Sequence, residues 1–282
     1  MRPFQKVIKY GAIALAIYLA IMIISVIIFV ITTIFGIGVG IETISNNIND
    51  NDLVSYTQEY SGIDSLNIDL GNHALEIKNG DTFKVELINV SKNLSVKQVN
   101  SGKELKIEDK TFRLFGDIDK ESKVIIYIPN DLEFKDIKLD LGVSDTNIEE
   151  IKTSKLELDI GTGNCKINNI QVANAEIDSG AGNTTIENSS FGELEFNGGI
   201  GETNLNCEIL NRGEIEAGVG NLRIDLIGSK DKYKLRAETG IGNLIIDGSE
   251  VKNGQIIGNG NINVNIEAGI GKTNINFVEE TI

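Results

Sequence analysis

The chain has 282 residues, with 26 Lys and Arg against 41 Asp and Glu, and its formal net charge is −15. This acidic balance argues against a nucleic-acid-binding protein, because phosphate recognition needs a surplus of Lys and Arg. A single His and two Cys argue against a zinc site and against a His-based catalytic centre. The hydrophobic share of 41% excludes a wholly disordered chain.

The first part of the chain is predicted to be a membrane anchor. Residues 1–9 carry basic side chains and no acid, and residues 10–41 carry no charge at all. This run exceeds the roughly 20 apolar residues that cross a bilayer as a helix. It is also longer than the apolar region of a cleavable signal peptide, which is the alternative interpretation. Because the positive flank comes first, residues 1–9 are predicted to be a cytoplasmic tail and everything after the helix extracytoplasmic. Residues 42–53 are polar and Asn-rich and predict a spacer.

Residues 54–135 form a β-rich region without a regular repeat. Segments such as FKVELINV, KELKIED and KVIIYIP have the β-branched, alternating character of strands. We expect this region to be the irregular first part of the same solenoid that the following residues predict. A separate small β-domain is the alternative.

Residues 136–282 carry an internal repeat marked by two glycines around one variable residue. The first four intervals between the leading glycines are 19 residues each, the next is 22, and the last two are 18 and 11. A constant interval favours stacked units over a β-sandwich or a meander of hairpins, whose loops vary in length. The leading glycines are Gly161, Gly180, Gly199, Gly218, Gly240, Gly258 and Gly269, with Gly142 as an imperfect copy that has Ser144 in the second place.

Apolar residues alternate with polar ones on both sides of each glycine pair, which is the period of a β-strand. A unit with two short strands cannot bury its own apolar face, but stacked units can, with equivalent residues about 4.8 Å apart. The chain is therefore predicted to be all-β, a β-solenoid of stacked 19-residue two-strand units preceded by one transmembrane helix. The predicted stacks are Leu139, Leu158, Ile177, Phe196 and Ile215 before the glycines, and Ile148, Ile167, Ile186, Leu205, Ile224, Ile246, Val264 and Ile275 after them.

The glycine pairs are predicted to lie at the corners of the units. Asn often follows the pair and tolerates the left-handed conformation that corners need, so Glu202 and Lys272, which replace it, leave two corners in doubt. His73 takes the place of a second glycine and is expected at an exposed corner. The solenoid is expected to end uncapped near Phe277, which would invite subunit contact. Cys165 and Cys207 are predicted to be buried or free thiols, because they lie two units apart, and a disulfide bridge is the alternative.

An acidic face is the most distinctive candidate site. Residues two and four positions before the leading glycine are mostly Asp and Glu, and they point away from the predicted core. Stacked carboxylates suit a hard cation such as Ca²⁺ or a basic partner, and a solvated face that prevents lateral strand pairing is the alternative. The candidate residues are Glu157, Asp159, Glu176, Asp178, Glu195, Glu214 and Glu216.

The chain resembles the bacterial "putative adhesin" domains of unknown function that are built from β-strand repeats. The resemblance rests on KVIIYIP (123–129), on LEFKDIKLDLG, and on the G-x-G-N-x-x-I units from Gly161 on, and it covers roughly Ser55 to Phe277. It implies one membrane helix followed by an external solenoid, encoded in some cases with regulators of cell-envelope stress. It implies no catalytic residues.

These observations predict a non-enzymatic, membrane-anchored binding module for wall polymer, matrix or another cell. An accessory or sensor component of an envelope-stress system, acting through a membrane regulatory protein, is the alternative. A polysaccharide-acting enzyme is the third interpretation, but no carboxylate stands apart from the repeat as a grafted active site would. No cofactor other than Ca²⁺ is expected.

Overall fold

The computed structural model describes residues 53–109 and 122–279. The predicted tail, the predicted membrane helix at 10–41 and nearly all of the spacer lie outside these ranges. No helix within the described ranges has the length and hydropathy of a membrane span.

The described residues are all-β, as predicted, and form a 21-stranded sheet with two short 3-10 turns at Asn100–Gly102 and Lys230–Lys232. The strands are β1 (Leu53–Glu59), β2 (Ser65–Leu70), β3 (Ala74–Asn79), β4 (Lys84–Ser91), β5 (Leu94–Val99), β6 (Glu104–Asp109), β7 (Lys123–Ile128), β8 (Glu133–Val143), β9 (Thr146–Glu149), β10 (Lys152–Thr162), β11 (Cys165–Asn168), β12 (Gln171–Ala181), β13 (Thr184–Ile200), β14 (Thr203–Val219), β15 (Leu222–Ile227), β16 (Tyr233–Ile241), β17 (Leu244–Ile246), β18 (Ser249–Glu250), β19 (Ile256–Ile257), β20 (Ile262–Ile270) and β21 (Thr273–Val278).

Two ladders of parallel strands make a solenoid-like stack. The first ladder runs β6, β2, β8, β10, β12, the second half of β13, the second half of β14, β20 and β16. The second ladder runs β7, β3, β9, β11, the first halves of β13 and β14, β15, β21 and β17. Each rung of the stack contributes one strand to each ladder, so the repeated units pair in parallel and not as hairpins.

Equivalent apolar residues stack in register along both ladders. On the second ladder, Ile167 pairs with Ile148 on one side and with Ile186 on the other, and all three are buried. On the first ladder, Ile177 pairs with Leu158 and with Phe196, which are also buried. Burying each such side chain contributes roughly 1.5–3 kcal/mol, and the stacked columns form one continuous core.

The order of the rungs departs from chain order near the C-terminus. The β20–β21 rung lies between the β14–β15 rung and the β16–β17 rung. Phe277 is therefore inside the stack, paired with Leu226, and the predicted uncapped end near it is wrong. The chain passes the position of the inserted rung, builds β16 and β17, and then returns, which explains the shortened sequence intervals.

The return segment also corrects the register predicted at Gly258. Gly258 and Gly260 do not form a rung corner but follow β19, which pairs antiparallel with β16. Val264 consequently belongs to the first ladder, opposite Leu235 and Gly213, and not to the column of Ile148 and its equivalents. Ile266 takes the place three residues before the true corner glycine, Gly269.

The chain reorders in the same way at the N-terminal side, and antiparallel strands cover both ends of the stack. The β2–β3 rung lies between β6–β7 and β8–β9. Beyond it, β4 pairs with β7, β1 with β4, and β5 with β6, all antiparallel. At the other end, β19 covers β16 and β18 covers β17 with two residues each. Short antiparallel strands of this kind limit edge-to-edge association.

The corners need glycine because neighbouring rungs approach closely there. Gly201 has φ +148°, and a Cβ on it would lie 1.8 Å from the carbonyl oxygen of Gly182 in the next rung. Asn after the glycine pair is not left-handed, contrary to the prediction. Its side chain instead accepts a backbone N–H of the next rung, as Asn183 Oδ1 does from Glu202 N at 3.0 Å. Asn221 does the same for Lys272 at 3.2 Å, so the two corners left in doubt keep the common geometry.

Left-handed residues other than glycine lie mainly at other turns. Glu150, Asn169 and Asn188 have φ of +55°, +55° and +51°, and each follows the second-ladder strand of its rung. Their spacing of 19 residues repeats that of the glycine pairs. These three rungs thus have two corners, one made by glycine and the other by a single left-handed residue.

Candidate binding surface

The outward side chains of the first ladder carry the predicted acidic face. β10, β12, β13 and β14 place residues in alternation, so that Leu158 and its equivalents point inward while their neighbours point outward. We call one set the glutamate column and the other the aspartate column. The glutamate column is Glu157, Glu176, Glu195 and Glu214, and the aspartate column is Asp140, Asp159, Asp178, Asn197 and Glu216, each residue opposite the next in the parallel register.

Basic side chains neutralise the two ends of the glutamate column. Lys138 Nζ lies 2.7 Å from Glu157 Oε2, and Lys155 pairs with the other oxygen of the same carboxylate. These two hydrogen bonds, Lys138 first, lower the pKa of Glu157 to about 2. At the far end, Arg212 pairs with Glu214.

The middle of the glutamate column is less neutralised. Glu176 and Glu195 are exposed, and within residues 53–109 and 122–279 neither forms a hydrogen bond or an ion pair. Two adjacent carboxylates one rung apart repel each other and attract cations. The negative potential of this face is therefore centred on β12 and β13.

Carboxylates of the aspartate column lie close enough to repel one another. Burial raises the pKa of Asp159, and the hydrogen bond and charge of Asp178 raise it further, followed by the charge of Asp140. The column changes character at Asn197, whose Nδ2 donates to Asp178 Oδ1 at 2.8 Å. The amide replaces repulsion with a hydrogen bond.

The columns do not converge on a metal cage. In the part of the chain that the structure describes, no group of three or more His, Cys, Asp or Glu has the geometry to hold a metal ion. Calcium needs six to eight oxygen ligands around one point, whereas the columns offer carboxylates in lines. Calcium binding by these residues stays a prediction.

A shallow depression of roughly 170 Å³ lies across the middle of the glutamate column. Charged groups of both signs surround it, and its apolar lining is Leu156, Ala175 and Leu194. A depression of this size and openness suits part of a side chain or a sugar unit rather than an enclosed small molecule. Its lining is Lys155, Leu156, Asn174, Ala175, Glu176, Glu193, Leu194, Glu195, Arg212 and Glu214.

His73 is buried, and the prediction of an exposed corner is wrong. Its Nδ1 lies 2.5 Å from Ser122 Oγ, and its Nε2 lies 3.0 Å from Asp109 Oδ2. Ser144 Oγ donates to the backbone oxygen of His73 at 2.8 Å. The corner is covered because the β6–β7 rung stacks on the β2–β3 rung, an arrangement that the irregular spacing of residues 54–135 does not reveal.

Both cysteines are free and buried, as predicted. Burial raises the pKa of each thiol to about 12. A thiol of this pKa is almost fully protonated at neutral pH and is a poor nucleophile or metal ligand. Cys165 and Cys207 thus act as small core residues of the stack.

The chain is similar to one protein family and to several solved structures. The toastrack DUF4097 family profile matches residues 63–272. A "putative cell adhesion protein" of Clostridium sporogenes ATCC 15579 has 19% identity and a TM-score of 0.39, covering 80% of this chain and 100% of that chain. A "putative adhesin" of Bacteroides fragilis NCTC 9343 has 15% identity and a TM-score of 0.41, with 80% and 97% covered. A "putative lipid binding protein" of Parabacteroides distasonis ATCC 8503 has 16% identity and a TM-score of 0.44, with 80% and 97% covered.

No curated protein matches the chain significantly. The family profile spans most of the chain, from the first buried residue of the stack, Ile63, to the last corner at Lys272. The repeat, its stacked apolar columns and this match agree, and the chain belongs to the toastrack DUF4097 family.

Proposed function

We propose that this chain is a non-enzymatic, adhesin-like binding module held at the cell membrane by residues 10–41, with its β-stack outside the cell. The observation that carries the proposal is the outer face of the first ladder. Stacked units present equivalent side chains at every rung, and such repetition makes an extended binding surface. The glutamate column and its depression lie at the centre of that surface.

Its negative charge selects the kind of ligand. The less neutralised carboxylates of Glu176 and Glu195 favour cationic groups and disfavour anionic polymers unless a divalent cation bridges the two. Ca²⁺ in the extracellular medium is such a cation, because carboxylate oxygens suit it. The proposed ligand is therefore an anionic wall polymer bound through calcium, or a basic surface.

The orientation in the membrane can be tested by cysteine labelling of intact cells. The native thiols at Cys165 and Cys207 are buried, so they leave a low background. A cysteine introduced by Glu250→Cys lies in the exposed strand β18 and is expected to react with a membrane-impermeant maleimide. The matched variant Gln5→Cys is expected to react only after lysis. Labelling of Gln5→Cys in intact cells, with protection of Glu250→Cys, would contradict the proposed orientation.

The binding function can be tested by co-sedimentation of the full chain with isolated anionic cell-wall polymer. We expect more protein in the pellet with millimolar Ca²⁺ than with a chelator, and a loss of this difference in the double variant Glu176→Gln/Glu195→Gln. The control variant Asp131→Asn/Glu250→Gln removes the same charge from exposed positions outside the columns and should sediment like the unmodified chain. Sedimentation that is independent both of calcium and of Glu176 and Glu195 would refute the proposed role of this face.

A further inference from the structure

A stripe of exposed apolar side chains runs along the glycine corner of the stack, away from the glutamate column. The variable residue between the two glycines stacks in register from rung to rung, as Ile200 does on Val219, Val219 on Ile270, and Ile270 on Ile241. Their exposed fractions are 64%, 46%, 49% and 69%, in that order. We call these four residues the corner stripe.

The fold does not require apolar residues at these positions. The same column holds Thr162 and Ala181 in the two preceding rungs, with the same pairing. The strand preference for β-branched residues explains Ile and Val at these positions, but it would be met equally by Thr, as at Thr162. It does not explain why all four side chains of the corner stripe lack a polar atom. Four apolar residues on consecutive rungs make a ridge about 14 Å long, and a contiguous exposed patch of this kind marks a site of interaction.

Charged residues close to the corner stripe in the sequence are mostly negative. Three positions before the stripe residues lie Glu216, Glu267 and Glu238, and Glu238 is paired with Arg236 at 2.6 Å. Two positions after them lie Glu202 and Lys272. A partner that covers the stripe must therefore bring apolar side chains flanked by positive charge. The net charge of −15 disfavours a second copy of this chain and an anionic lipid surface alike.

The spacing of the stripe favours a helical partner. Residues on one face of an α-helix recur every turn, at 5.4 Å, which is close to the rung spacing of about 4.8 Å. An extended strand would repeat its side chains on one face at roughly 6.8 Å and lose register after two rungs. We infer that the corner stripe is a docking site for a basic amphipathic helix of another protein, a site distinct from the glutamate column proposed to bind surface ligands.

The test measures binding of a defined probe to the full chain in zwitterionic nanodiscs. The probe is a fluorescent amphipathic helix of Leu and Lys. Its binding to empty nanodiscs is subtracted as binding to lipid. A helix of Leu and Glu with the same pattern is the peptide control. The double variant Ile200→Thr/Ile241→Thr keeps the β-branching that Thr162 has in the same column. We expect it to bind the Leu/Lys helix about tenfold more weakly than the unmodified chain.

Matched controls separate the stripe from general stickiness. Leu210→Thr/Ile256→Thr removes two other exposed apolar side chains and should leave binding unchanged, and the Leu/Glu helix should not bind. Equal binding by the stripe variant and the unmodified chain would overturn the inference. Two further results would overturn the inference. If the unmodified chain self-associates and only the stripe variant does not, the occupant is a second copy of this chain. If the unmodified chain floats with separate phosphatidylcholine vesicles and only the stripe variant does not, the occupant is a lipid surface.

Discussion

Replacing one corner glycine should destabilise the stack far more than its size suggests. In Gly201→Ala, the new side chain must adopt φ +148°, a conformation that costs an L-residue about 1–3 kcal/mol. Its Cβ would also lie 1.8 Å from the carbonyl oxygen of Gly182, so the rungs must separate. Overpacking of this kind costs about 1–3 kcal/mol more. The total of roughly 2–6 kcal/mol is a large part of a typical folding free energy.

The matched control is Gly248→Ala, which changes a turn glycine with φ +74° and no neighbouring atom within 4 Å. It bears the left-handed penalty alone, about 1–2 kcal/mol. Urea unfolding of the two full-chain variants, followed by far-ultraviolet circular dichroism, gives both free energies. If Gly201→Ala loses no more stability than Gly248→Ala, close approach of the rungs is not what selects glycine at the corners.

Other predictions concern charge and thiol chemistry. Asp159→Asn should raise the free energy of unfolding at neutral pH by a few tenths to about 1 kcal/mol, because it removes repulsion from Asp178. Thermal unfolding should show that this gain shrinks at acid pH, where Asp159 of the unmodified chain becomes protonated. A variant less stable than the unmodified chain at neutral pH would refute the repulsion. The pKa of Glu157 is lowered from 4.5 to about 2, so its ion pairs stabilise the fold above about pH 4.5 and are lost as the pH falls toward 2. The stability gap between the unmodified chain and Glu157→Gln should therefore close over that interval, and a gap that is constant with pH would contradict the assignment. Mass spectrometry should find Cys165 and Cys207 unmodified by iodoacetamide in the folded chain and alkylated in urea; rapid labelling of the folded chain would contradict their burial.

The sequence predicts the repeated part of this fold well because local pattern and stacking agree there. Ile167 and Ile186 are 19 residues apart, occupy the same place in the alternation, and meet in the structure. The outward Glu176 and Glu195 follow from the same register, since fixing the inward residues fixes their neighbours.

Departures from the predicted fold come from contacts that no local pattern encodes. Val264 fits the apolar pattern in two registers, and only the pairing of β20 with β14 and β16 decides between them. The sequence predicts an exposed corner for His73, because it does not reveal that the β6–β7 rung stacks over this residue. The corner stripe at Ile200 and Ile241 is not predicted by the repeat, because the residue between the two glycines varies from unit to unit, although its rising apolarity is visible in the sequence.

The inserted rung near the C-terminus also constrains how the chain can be synthesised and folded. A ribosome or secretion channel delivers the chain N-terminus first, so β16 and β17 emerge while the strand on which they rest has not yet been made. Until the chain has been delivered as far as Val278, the edges of β14 and β15 that pair with β20 and β21 have no neighbouring strand. The β20–β21 rung therefore completes the stack from an internal position. A premature stop codon before it would remove this rung and would also leave the β16–β17 rung without the strands that it pairs with.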